Sequence, residues 1–81
     1  MNIFSWLKKK ETKISFDDFL MTLQQDLRTY TYLRYGQVLM HTLYNHDRNK
    51  YKEITGTEYD CFFDNKIVSK TLDKLEKEWT T

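Results

Sequence analysis

Along most of the 81-residue chain, apolar positions recur every three or four residues, and no run of strand length alternates at period two. Phe16, Phe19, Leu20, Leu23, Leu27 and Tyr30 make one stripe, Leu33, Gly36, Leu39, Met40 and Leu43 a second, and Val68, Leu72, Leu75 and Trp79 a third. Proline is absent and glycine occurs twice, so tight hairpins have few places to form. The pattern predicts an all-α fold, a small bundle of three main helices plus one short helix. A chain this long buries about 64% of its unfolded surface, which supports one small core.

Capping chemistry sets the expected boundaries. Ser15 and Asp18 have capping-box spacing, and Asp17 and Asp18 put negative charge at the positive end of a helix dipole. The first helix is therefore expected over about 15–29. Thr29 or Thr31 is expected to cap the second, which runs to about Asn45. Gly36 inside it costs about 1 kcal/mol against alanine and is read as room for another helix to approach. Residues 45–49 read as a polar turn. Tyr51 and Ile54 mark a short helical segment that Gly56 ends in a left-handed cap. Residues 55–63 form a loop folded back on the core, and Asp64 or Asn65 caps the last helix.

Charge divides the chain in two. Residues 1–13 hold four lysines, Lys8, Lys9, Lys10 and Lys13, against one glutamate, a balance of +3. The remainder holds nine basic and eleven acidic side chains, or −2, and the total is +1. A basic N-terminal arm over 1–13 and a single helical domain over 14–81 are expected. The arm also carries Ile3, Phe4, Trp6 and Leu7, which reads as a loosely docked segment before contact with a partner or an anionic membrane. The near-neutral total argues against a generally basic nucleic-acid binder. A lone cysteine excludes an intrachain disulfide and fits a reducing, cytoplasmic setting. No apolar run approaches the roughly 18 residues of a membrane span.

Few residues are suited to chemistry. Cys61 is the one thiol, and Asp60 beside it would raise rather than lower its pKa, so it reads as a packed structural group. His41 and His46 are five apart and do not share a helix face, so no metal site is expected. Asp60 and Asp64 suit backbone capping better than acid–base work. Nothing suggests an enzyme or a cofactor. The most suggestive cluster is Tyr30, Tyr32 and Tyr35 interleaved with Arg28 and Arg34. Those residues could complete the core, form a protein interface rich in Tyr and Arg, or stack single-stranded bases.

Within residues 34–64, Gly36-Gln37 stands in a helix and Gly56-Thr57 precedes Asp60, Phe62 and Asp64 in a turn. This stretch resembles a group of small uncharacterised bacteriophage- and prophage-encoded proteins, which carry a Gly-Gln pair and a downstream Gly-Thr-x-x-Asp-Pro-Phe-like turn. Cys61 stands at the position of the proline. The resemblance covers about thirty residues and implies a compact helical fold of phage origin, with no activity attached. With it, the expected function is non-enzymatic: a phage-type protein that binds a host protein as inhibitor, adaptor or counter-defence factor of the anti-CRISPR kind, in the host cytoplasm. The alternatives are a nucleic-acid accessory using the arm lysines and the tyrosines, and a self-associating module, since small cores are often completed by oligomerisation.

Overall fold

The computed structural model describes residues 15–79, so the basic arm with Lys8, Lys9, Lys10 and Lys13 lies outside the described residues. Four α-helices follow in order: α1 (Phe16–Thr29), α2 (Tyr35–His46), the short α3 (Arg48–Ile54) and α4 (Val68–Glu78), the last entered through a 3-10 turn at Asn65–Ile67. No strand occurs among the described residues. The expected all-α architecture is the observed one.

Helix α1 starts where its sequence says. Ser15 has extended backbone, and its Oγ accepts the Asp18 N–H at 3.0 Å. Phe19 and Leu23 from its stripe are buried, while Phe16, Leu20, Leu27 and Tyr30 are half-buried against the same core. The start of α2 differs from expectation. Thr29 ends α1, with its hydroxyl turned back to the Gln25 carbonyl at 3.0 Å, and Thr31 lies in the connecting turn. The N-cap is Arg34, whose side chain has no acceptor; its backbone N–H instead donates to Gln37 Oε1 at 3.1 Å. Gln37 of the Gly-Gln pair is thus a helix-starting residue.

Asp47 closes α2 and opens α3 together. Its N–H donates to the Leu43 carbonyl, and its Oδ1 accepts the N–H groups of Asn49 and Lys50. After α3, Gly56 takes φ +80°, the left-handed conformation that stops the helix. Asp64 Oδ1 accepts the Lys66 N–H and so caps the 3-10 turn rather than α4 itself.

The core unites Phe19, Leu23, Val38, Leu39, Met40, Leu43, Ile54, Cys61, Val68 and Leu75. Two threonines join it. Thr42 Oγ1 donates to Asp26 Oδ2 at 2.6 Å, with the Val38 carbonyl at 2.9 Å, and pins α2 to α1. Thr71 Oγ1 lies 2.6 Å from the Tyr59 carbonyl and 3.1 Å from that of Ile67, which pins the 55–64 loop to α4. Both are fully buried, so these bonds satisfy hydroxyls that would otherwise carry an uncompensated desolvation penalty. On α4, Thr71 occupies a core position, while Leu72 and Trp79 of the expected stripe are half-buried.

The glycine in α2 makes room for a loop, not for a helix. A Cβ on Gly36 would overlap the carbonyl oxygen of Cys61 and fall 2.9 Å from its carbon. The Gly36 N–H donates to Asn65 Oδ1 at 2.8 Å, and Cys61 Sγ lies 3.7 Å from the Gly36 carbonyl. The 61–65 segment therefore rests directly on the first turn of α2.

Candidate functional site: an aromatic face

Residues of the Gly-Thr-x-x-Asp-x-Phe turn act on one another's backbone. Asp60 Oδ2 accepts the Gly56 N–H at 2.8 Å and Oδ1 the Phe62 N–H at 3.0 Å, so its carboxylate holds both halves of the loop. Thr57 Oγ1 donates to the Ile54 carbonyl and accepts from the Tyr59 N–H. Asp60 and Asp64 are each engaged with backbone N–H groups, and no cluster of three or more His, Cys, Asp or Glu suited to a metal occurs among the described residues. Cys61 is fully buried at the loop's centre. Burial pushes its thiol pKa up, and the Thr71 hydroxyl works in the opposite direction. We expect thiol reagents at pH 8 to label Cys61 about 100-fold more slowly than the urea-unfolded chain, each factor of ten reflecting about 1.4 kcal/mol of local opening. Equal rates would mean that the 59–64 loop is open in solution.

The corner between α1 and α2 sets out an aromatic surface. Tyr32, at the corner between α1 and α2, is 78% exposed, and Tyr35 at the start of α2 is 38% exposed. Tyr30 is half-buried against the core. The three tyrosines named by the sequence therefore divide: Tyr30 supports the fold and Tyr32 faces solvent. Tyr30 packs edge-on against Tyr32, with ring centroids 6.3 Å apart, and against His41 at 5.1 Å. Arg28 and Arg34 are exposed and form no ion pair among the described residues.

His41 continues this surface into a cleft of about 270 Å³, lined by Met40, His41, Tyr44, Tyr51 and Phe62. Tyr44 and Tyr51 meet edge-on at 5.1 Å, joining α2 to α3, and Phe62 meets the 85%-exposed Phe63 at 4.7 Å. The Arg48 guanidinium stands 4.6 Å over the Tyr44 ring. Periodicity alone did not find this cleft, because its walls come from α2, α3 and the 55–64 loop.

A second hollow carries the opposite character. Lys70 and Lys74 both stand over the Tyr59 ring, at 5.0 and 4.6 Å, and Lys74 pairs with Glu78 at 2.7 Å. Asp73 and Glu78 share this hollow with the lysines, so its charges largely cancel.

Face and cleft together offer apolar area edged by arginine, the composition that dominates binding energy in protein interfaces. No helix of the described residues is long and apolar enough to cross a membrane. Comparison with protein-family models, with curated proteins and with solved structures gives no match.

Proposed function

We propose that this chain is a small non-enzymatic interaction protein that binds and modulates a host protein through the face running from Tyr32 across Tyr30 and His41 to Phe62. The phage resemblance of residues 34–64 supports a host protein as the partner, with inhibition or counter-defence as the outcome, in the host cytoplasm. The mechanism is steric: an aromatic patch occupies a groove that the partner needs for its own ligand.

The exposure of Tyr32 carries the reading. A ring left 78% in water contributes little to folding, and Tyr30 meets it edge-on at 6.3 Å. A tyrosine has only two side-chain torsions to order on binding, so it offers a large contact area at low entropic cost. Tyr32→Ala should leave the unfolding free energy within about 0.5 kcal/mol of wild type. It should weaken partner binding by about 2 kcal/mol, roughly thirtyfold, as expected of an anchoring tyrosine. Affinity capture from host lysate, with wild type beside Tyr32→Ala and Tyr35→Ala, tests this directly. Recovery of the same host protein at the same level by all three would defeat the reading. Salt-steep binding to a single-stranded oligonucleotide, with no protein captured, would move the function to nucleic acid.

A further inference from the structure

The lining of the aromatic cleft differs in charge from the described chain as a whole. Residues 15–79 sum to −2, yet none of the five lining residues is a carboxylate. Arg48, which stands over the Tyr44 wall of the cleft, is exposed and has no carboxylate within 4.0 Å among the described residues. Its guanidinium lies on the Tyr44 ring, an attraction that holds the group in place while its N–H donors remain available for a bidentate acceptor. The cleft volume, about 270 Å³, falls below that of typical small-molecule sites and suits one large side chain. Met40 in its floor is unbranched and adjusts to the shape of what enters.

From these observations we infer that the cleft seats one bulky apolar side chain from an acidic segment of the partner, whose neighbouring carboxylate is met by Arg48. The inference rests on the interface reading above and specifies the partner chemistry. Carboxylate fits better than nucleic-acid phosphate here. Nucleic-acid affinity accumulates over many phosphate contacts, and the Tyr44 wall carries one arginine on a net acidic body. A single guanidinium beside an apolar seat instead matches a peptide anchor with an adjacent Asp or Glu.

The test is a titration of the isotope-labelled full chain, followed by amide NMR, with two short peptides carrying one central Trp. One peptide flanks the Trp with glutamates and the other with lysines. The Glu peptide should shift the amides of Met40, Tyr44, Tyr51 and Phe62 and bind at least about tenfold more tightly than the Lys peptide. Arg48→Ala should bring the two affinities to within about threefold. Phe62→Ala should weaken both peptides alike, with the rest of the spectrum reporting an intact fold. Equal binding of the two peptides by wild type, no shift at the cleft, or stronger shifts there from a single-stranded oligonucleotide would overturn the inference. Capture of a host protein that depends on Tyr32, with no peptide response at the cleft, would remove this inference alone. The converse pattern would remove the Tyr32 interface and keep the cleft.

Discussion

Gly36→Ala is expected to lower stability by about 3 kcal/mol and the melting temperature by roughly 15 °C. Alanine is the better helix former, and propensity alone would raise stability by about 1 kcal/mol. Sterics oppose this. The added methyl would overlap the Cys61 carbonyl oxygen, a backbone atom that has no rotamer through which to escape. Either α2 or the 61–65 segment must shift, and the Gly36 N–H bond to Asn65 Oδ1 and the thiol contact to the Gly36 carbonyl go with it. Each such bond contributes about 1 kcal/mol net, and overpacking adds about 1–3 kcal/mol. Against a total stability of roughly 4–12 kcal/mol for a chain this long, that loss is large. Gly56→Ala makes the comparison sharp. Nothing lies within 4 Å of its added Cβ, but its φ of +80° strains any L side chain, so a loss of only about 1–2 kcal/mol is expected. Urea titrations of both variants separate the two origins. A Gly36→Ala protein as stable as wild type would show that the loop does not sit against α2.

Helix existence was legible because it depends on local spacing. The stripe from Phe16 to Tyr30, the Ser15 cap and the Gly56 stop each involve residues no more than about a turn apart. Errors arose where a side chain has competing local partners and where partners are distant. Thr29 and Thr31 read as N-caps because threonine often caps, but the Thr29 hydroxyl bonds the Gln25 carbonyl behind it, and the N-cap of α2 is Arg34, five residues on. Gly36 does mark a close approach, but the approaching backbone belongs to a loop 25 residues away and not to a helix. Thr42 and Thr71 are invisible to a hydrophobic pattern: their burial is settled by Asp26 and the Tyr59 carbonyl, 16 and 12 residues distant.

The candidate site follows the same division. Tyr30, Tyr32 and Tyr35 stand out as a local cluster, but which of them is core depends on His41 from the next helix. The Gly-Gln and Gly-Thr-x-x-Asp-x-Phe residues also have physical reasons for their types here. Gly36 admits the loop, Gln37 starts α2, Asp60 ties the loop, and Phe62 walls the cleft. A motif of folding residues thereby delivers an aromatic ring to the surface.

Phe19→Ala should have the largest effect of any single truncation, about 4 kcal/mol, with a melting temperature lower by roughly 20 °C. Phe19 is fully buried and its ring is met from three elements. Phe16 of α1 lies 6.0 Å away, His46 at the end of α2 lies edge-on at 5.7 Å, and Trp79 beyond α4 lies at 5.0 Å. Trp79 in turn meets Phe16 at 5.4 Å and carries the Lys50 ammonium of α3 on its ring at 5.0 Å. Removing the Phe19 ring therefore costs the apolar transfer, the cavity left behind, and aromatic contacts of about 0.5–1.5 kcal/mol per pair. Phe16→Ala removes a half-buried ring from the edge of the same cluster and should cost less. The diagnostic is where the loss falls. Loosening at this end should weaken near-ultraviolet dichroism from Trp79 and speed amide exchange in the last turn of α4, while Thr42 continues to hold the last turn of α1 against α2 through Asp26. If Phe19→Ala costs less than about 1.5 kcal/mol, or exchange rises equally along every helix, the aromatic cluster is not what closes α4 onto α1.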